Sequence, residues 1–150
     1  MSVWKHVGAL VLVCLPLGCG RSLPDTVPVS GRVTWNGEPV RAGTIAFMPA
    51  DTETDSLHRV ALGRIEADGS YRLSTFGTND GALPGDYHVA VSDQGDFAAE
   101  VRPGARSSPQ GNVPARYAVP HTSGLNANVP AGSRRLVIDF HLPAGQTANR

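Results

Sequence analysis

The chain has 150 residues, which is the length of a single domain. Its 13 basic and 13 acidic residues leave no net charge, so no overall field attracts nucleic acid or an anionic bilayer. With 17 glycines and 12 prolines, the composition favours short strands joined by turns over long helices.

The N-terminus has the three parts of an export signal. Residues 1–6 are short and carry Lys5, residues 7–17 form an apolar run, and small residues follow. A helix that spans a bilayer needs roughly 20 residues, so the run is too short to be one. The pattern predicts a signal peptide over residues 1–18.

The end of this signal, LPLGC at residues 15–19, resembles the lipobox of bacterial lipoproteins. Gly18 is the small residue before the cysteine, whereas Pro16 stands where that pattern has an aliphatic residue. The resemblance implies cleavage before Cys19, diacylglycerol on its thiol and acylation of its new amine. The alternative is an ordinary signal peptide beside which Cys19 is incidental.

Cleavage before Cys19 determines which of the two cysteines remains in the mature protein. Cys14 leaves with the signal and Cys19 stays alone, so the mature domain has no disulfide. Residues 19–28, with two prolines and no periodicity, are predicted to be an extended tether. Gly20 follows Cys19 where an Asp would indicate inner-membrane retention, which favours the outer membrane of a cell envelope.

From residue 29 onward the apolar residues alternate. Residues 29–35 predict a strand, Asn36-Gly37 predicts a tight hairpin, and residues 44–48 are expected to be its returning strand. Asp68-Gly69 predicts a second hairpin. Further strands are predicted over residues 58–66, 71–76, 86–92, 125–129 and 135–142. The sequence therefore predicts an all-β, approximately seven-stranded antiparallel Greek-key β-sandwich.

Several segments in this order carry a family resemblance. They are VSGRVTWNGEPV (29–40), GTIAFMP (43–49), DGSY (68–71) and LPGDYHVAVS (83–92). Together they are similar to the transthyretin-like, carboxypeptidase regulatory-like domains of small bacterial lipoproteins. The resemblance implies a prealbumin-like sandwich over residues 29–143. Residues 144–150 are predicted to be a disordered tail, since chain ends beyond the last strand commonly fray.

Catalytic patterns are missing from the sequence. It has no Gly-x-Ser-x-Gly, and no Cys–His pair survives cleavage. The transthyretin fold includes the 5-hydroxyisourate hydrolases, whose C-terminal Tyr-Arg-Gly-Ser is replaced here by FHLPAGQTANR. We therefore predict a protein that is not an enzyme, and a hydrolase of that kind is the least favoured alternative.

No cofactor or metal site is predicted. Asp51, Glu53 and Asp55 alternate like the start of a Ca²⁺ loop, but Ser56 and Leu62 stand where Gly and Glu are needed. A solvated acidic loop is the preferred interpretation.

The histidines offer a second, weaker possibility. His88, Asp139 and His141 lie on outward faces and would form a metal site only if their strands were neighbours. Exposed histidines on a polar face are preferred, and His58 and His121 have no partner at ligand spacing.

The leading functional hypothesis is a lipid-anchored, non-catalytic envelope module for binding, adhesion or scaffolding. Its expected partners are the membrane, through Cys19, and an envelope protein or glycan, with no nucleic acid. The alternative is a carbohydrate-binding module with Trp35 and Tyr117 as an exposed aromatic platform, although both are equally consistent with core or loop packing.

Overall fold

The computed structural model describes residues 24–51, 59–93 and 113–143. These residues form nine strands: β1 (Val29–Trp35), β2 (Glu38–Pro39), β3 (Gly43–Pro49), β4 (Ala61–Ile65), β5 (Ser70–Ser74), β6 (Gly85–Ser92), β7 (Leu125–Val129), β8 (Leu136–Val137) and β9 (Phe140–Leu142). Helix within the described ranges is limited to a 3-10 turn (Ala115–Ala118) and a single-turn helix (Pro120–Ser123). The predicted all-β class is confirmed.

Seven strands form a continuous curled path in the order β2-β1-β5-β4-β3-β6-β7, and all of their pairings are antiparallel. The strands β8 and β9 pair with β1 and run parallel to it. This direction differs from the antiparallel expectation. The parallel direction of β8 follows from the path. Successive antiparallel pairings leave β7 antiparallel to β1, and the chain then reverses direction between β7 and β8.

The strands β8 and β9 behave as one strand with an interruption. The register from Val29↔Leu136 to Trp35↔Leu142 keeps one offset, so the predicted closing strand over residues 135–142 is present. At the interruption, the Arg32 backbone N–H donates to the Asp139 Oδ1 at 2.8 Å instead of to a carbonyl. A carboxylate thereby satisfies the backbone group that the ladder leaves free.

The first predicted hairpin forms, but its returning strand is not the predicted one. Asn36 and Gly37 have φ values of 53° and 84°, and Trp35 pairs with Glu38 across them. The returning strand is the two-residue β2, whereas residues 44–48 lie in β3, which pairs with β4 and β6. The strand β2 ends at Pro39, which lacks the N–H that a longer ladder needs.

The second predicted hairpin, at Asp68-Gly69, joins β4 to β5. Gly69 has a φ of 82°, and the Glu66 N–H donates to the Ser70 carbonyl at 2.9 Å. The Asp68 carboxylate accepts from both the backbone and the hydroxyl of Ser70. These hydrogen bonds set the register of β4 against β5.

The core lies between the two halves of the curled sheet. Phe47 on β3 meets Phe140 on β9 edge to face, with ring centroids 6.0 Å apart, and Tyr71 and Tyr87 pack against Phe47. The outward faces predicted for His88, Asp139 and His141 imply that the alternate residues of β6 and β9 point inward. This is confirmed by the burial of residues 87, 89, 91, 140 and 142. Two apolar faces thus close against each other, as in a sandwich.

Both buried tyrosines keep a hydrogen bond for the hydroxyl. Tyr87 donates to the Leu83 carbonyl at 2.7 Å, and burial raises the pKa of Tyr87 to about 12. Tyr71 donates to the Ile138 carbonyl at 2.7 Å, and burial together with the Asp139 charge raises the pKa of Tyr71 well above its usual range. These bonds secure the chain entering β6 and the closing strand.

The folded unit extends two residues into the predicted tether. Val27 is 3% exposed and exchanges two backbone hydrogen bonds with Ala82, and the Pro28 carbonyl accepts from Leu136. The predicted signal at residues 1–18, the lipidation site Cys19 and the predicted tail at residues 144–150 lie outside the described residues. Within the described ranges, no helix has the length and apolarity needed to cross a membrane.

Candidate functional site

The two aromatic residues predicted as a glycan platform do not form one. Tyr117 is 4% exposed, its hydroxyl donates to the Pro143 carbonyl at 3.2 Å, and the Arg116 guanidinium lies 4.6 Å from its ring centroid. Trp35 is half-buried against the core and lines a pocket of about 530 Å³ beside Val40. The predicted platform requires two exposed rings. Tyr117 is a core residue, so the prediction of this platform is wrong.

The residues weighed as a metal site also lie apart. His88 is on β6, which pairs with β3 and β7, whereas Asp139 and His141 belong to the strand beside β1. The His141 Nδ1 lies 2.8 Å from the Thr34 hydroxyl. The described residues contain no group of three or more His, Cys, Asp or Glu side chains that could hold a metal ion. Asp51 is described, but Glu53 and Asp55 lie outside those residues.

A polar groove of about 800 Å³ lies on the outer face of the sheet, across β1, β4, β5 and β8. Four arginines line it: Arg32, Arg64, Arg72 and Arg135. We call it the arginine groove. Its other polar lining consists of Glu66, Asp139, Ser30, Ser70, Ser74, Thr78 and Asn79. Guanidinium groups therefore outnumber carboxylates in the groove, on a chain whose total charge is zero.

Strand register brings two of these arginines together. Arg64 on β4 and Arg72 on β5 are directly opposite each other, and both are exposed. Side chains in that relation have Cβ atoms about 5 Å apart, and like charges there destabilise the pair. Ser30 on β1 lies opposite Arg72 on its other side, which extends the polar row across three strands.

Little in the described part of the chain neutralises these charges. Arg32 is the one groove arginine there with an acidic side chain within 4 Å, Asp68 at 3.4 Å. Hydrogen bonds from the Ser70 hydroxyl and backbone N–H, with a contribution from Arg32, lower the pKa of Asp68. Both side chains of that ion pair are more than half exposed, so solvent screens it.

This arrangement suits the binding of an anion. A guanidinium stays protonated at physiological pH and offers several N–H donors in a planar fork that matches carboxylate, sulfate and phosphate groups. An anion between Arg64 and Arg72 would replace their repulsion by two charge-assisted hydrogen bonds. Arginine supplies no proton under these conditions, so the chemistry that these side chains offer is anion binding rather than proton transfer.

The sequence does not predict this site, because the site depends on the register between strands. The register of residues 58–66 was ambiguous on alternation alone, because apolar and polar residues occur on both of its faces. A two-residue Asp68-Gly69 turn would place Arg64 opposite Leu73. The loop in the structure has three residues, 67–69, between Glu66 and Ser70, and it places Ile65 opposite Tyr71 and Arg64 opposite Arg72. Arg135 reaches the groove because the closing strand pairs in parallel with β1, and no local pattern predicts that pairing.

Comparisons with known proteins return no relative for this chain. It matches no family model, no curated protein and no solved structure. The resemblance to transthyretin-like lipoprotein domains therefore stays a prediction from the motifs, and the arginine groove is the feature from which a function can be argued.

Proposed function

We propose that this chain is a non-catalytic binding module of the bacterial cell envelope, anchored through lipid on Cys19, whose arginine groove binds an anionic polysaccharide. The outer membrane is the favoured location. The observation that supports the ligand class is the opposed pair Arg64 and Arg72, with Arg135 in the same groove and no acidic partner for any of them in the described residues.

The neighbouring polar residues favour an acidic sugar polymer over a small inorganic anion. Hydroxyl and amide side chains of Ser30, Ser74, Thr78 and Asn79 line the groove beside the arginines. Such groups hydrogen-bond sugar hydroxyls, while guanidinium groups pair with uronate or sulfate. The carbohydrate-binding alternative thus takes a new form, in which charge replaces aromatic stacking.

The hydrolase alternative finds no comparable support. The described residues that line the arginine groove include no histidine and no cysteine. His88 and His141 lie on strands that are not neighbours, so they do not supply a shared general base.

Titration with polysaccharides tests the ligand. We expect the protein to bind polygalacturonate or dextran sulfate and not to bind neutral dextran. Its affinity for the acidic polymers should fall as the salt concentration is raised. Arg72→Gln and Arg135→Gln should each weaken binding about tenfold, because each removes a charged donor. Arg134→Gln is the matched control, since exposed Arg134 precedes Arg135 but does not line the groove.

Two outcomes would contradict the ligand assignment. One is a failure to bind either acidic polymer at low salt. The other is an equal loss of affinity in Arg134→Gln and Arg135→Gln, which would mean that net charge rather than the groove is responsible.

The anchor has its own test. Cys19→Ser should move the protein from the membrane fraction to the soluble fraction of the cell, because the thiol that carries the lipid is gone. Mass spectrometry of the native protein should find an acylated N-terminal Cys19. An unchanged membrane fraction in Cys19→Ser would count against the anchor and would leave the groove experiment unaffected.

A further inference from the structure

Two histidines meet on the outer face of the sheet, away from the arginine groove. His88 lies on β6 and His121 lies in the single-turn helix, and their ring centroids are 5.3 Å apart with the ring planes at 62°. His121 is exposed and His88 is half-buried, so the pair is open to solution. The contact brings together two residues that are distant in the sequence.

A neighbouring amide orients His88. Its Nδ1 lies 2.9 Å from the Asn126 Oδ1 on β7, directly across the strand pair. An amide oxygen only accepts, so the proton of the neutral ring lies on Nδ1 and the lone pair lies on Nε2. Histidines that bind metals are commonly held in this way through the nitrogen that does not bind.

The helix that carries His121 is fixed to β6. The Ser123 hydroxyl is 2.6 Å from the Val89 carbonyl and 2.9 Å from the Pro120 carbonyl. Pro120 begins the helix, and Gly124 ends it with a φ of 70°. The backbone of His121 is therefore held in place before any ligand arrives.

The separation of the two rings fits a shared metal ion. With nitrogen–metal distances of about 2.0 Å and a tetrahedral angle, two imidazole centroids lie about 5 Å apart. The observed 5.3 Å is close to this spacing. An edge-to-face contact between two metal-free rings has a similar spacing, so the experiment must separate these two cases.

A thioether lies beside the pair. Met48 on β3 is directly opposite His88 and half-buried, so both side chains emerge on the same face about 5 Å apart at Cβ. Two imidazoles and one thioether form a soft donor set that prefers copper(I) to calcium, magnesium or manganese. We propose that His88, His121 and Met48 form a copper(I)-binding site on the outer face of β3 and β6.

The test is an anaerobic titration of the metal-free, untagged full chain with copper(I) against a chromophoric chelator. Cys14→Ser and Cys19→Ser are included in every sample, because they remove competing thiolates and the lipid. We expect one copper ion per chain, with affinity lowered at least about tenfold in His88→Ala and in His121→Ala. His141→Ala is the control, since that histidine is exposed and contacts Thr34 instead.

Two further measurements keep the result interpretable. Met48→Leu preserves side-chain volume and should weaken copper(I) binding while leaving zinc(II) binding unchanged. In NMR spectra of the Cys14→Ser, Cys19→Ser chain, copper(II) should broaden the ring signals of His88 and His121 and leave those of His141 sharp.

Four results would overturn the site. They are unchanged copper(I) affinity in both histidine variants, an equal loss in His141→Ala, unchanged copper(I) affinity in Met48→Leu, and broadening confined to histidines other than His88 and His121. Circular dichroism of each variant confirms that any loss of affinity occurs in a folded chain.

Discussion

Two regions of the same outer sheet surface have opposite characters. On β4 and β5, Arg64 and Arg72 stand opposite each other and are exposed. On β3 and β6, Ala46 and Ala90 stand opposite each other and are 5% and 0% exposed, because the two short helical elements pack against this part of the sheet. Strand alternation is the same in both regions, so the difference is set by what the chain places above each strand pair.

Small side chains lie on the covered face of the sheet, and long charged side chains lie on the open face. Alanine is small enough for a helical turn to pack closely over it, whereas a long cationic side chain keeps its head in water. We therefore expect substitutions of outward-facing side chains to have large effects on the covered region and small effects on the open one.

The largest expected effect is at the covered region. Ala90→Arg should lower the free energy of unfolding by about 4 kcal/mol, because it overpacks the space under the helical turn and buries a charge. Urea denaturation measures the change. Ala→Arg at the exposed Ala131, in the connection before β8, should change stability by less than about 0.5 kcal/mol. Equal losses of stability at Ala90 and Ala131 would contradict the inferred effect of covering the face.

Beneath the open region, one glycine lies in close contact with the backbone of a neighbouring strand. At Gly31 a Cβ atom would lie 1.8 Å from the Ile138 carbonyl oxygen, in the closing strand at the edge of the arginine groove. Gly31→Ala should therefore cost about 3 kcal/mol, since the clash involves backbone that cannot rotate away. Gly132→Ala, where no atom lies within 4 Å but φ is 76°, should cost only about 1 kcal/mol. A smaller loss at Gly31 than at Gly132, measured by urea denaturation, would contradict this account.

The local parts of this fold could be predicted from sequence because they depend on residues that are close together in the chain. A hairpin at Asn36-Gly37 or Asp68-Gly69 depends on backbone preferences of adjacent residues, and both hairpins form. The inward rows of β6 and β9 depend only on alternation, and both are confirmed.

The parts that could not be predicted depend on strand pairing across long distances. The strand β3 pairs with β4 and β6 instead of returning along β1, and the closing strand runs parallel to β1. The contact of His121 with His88 depends on a helical turn within an irregular stretch. Burial of Tyr117 has the same origin, so a one-dimensional pattern could not separate a core tyrosine from an exposed one.

The loop beside the groove should give stability a dependence on pH. Partial burial acts to raise the pKa of Asp80, but hydrogen bonds from the N–H groups of Thr75, Phe76 and Gly77 lower it overall. A lowered pKa in the folded state stabilises the fold above about pH 4, and that stabilisation is lost as pH falls further.

Asp80→Asn tests this dependence. The variant should be less stable than the parent by about 1 kcal/mol at pH 7, a modest figure because the carboxylate is partly exposed. The difference should shrink when urea denaturation is repeated near pH 3. Exposed Asp25 provides a control, and Asp25→Asn should show no such trend. A gap for Asp80→Asn that widens on acidification would contradict the sign.

The smallest expected effect is on the arginine pair itself, and it gives the sharpest test of the open region. Arg72→Gln keeps most of the side chain and removes one of two opposed charges, so it should raise the free energy of unfolding by about 0.5 kcal/mol at low salt. The gain should disappear in 1 M NaCl, where screening removes the repulsion. Arg134→Gln should show neither effect. Adding the acidic polysaccharide should reverse the order of stability, because a ligand that binds the folded state stabilises the parent more than the variant. If Arg72→Gln instead destabilises the ligand-free protein, the arginine already has a partner, and the argument for an anion between Arg64 and Arg72 fails.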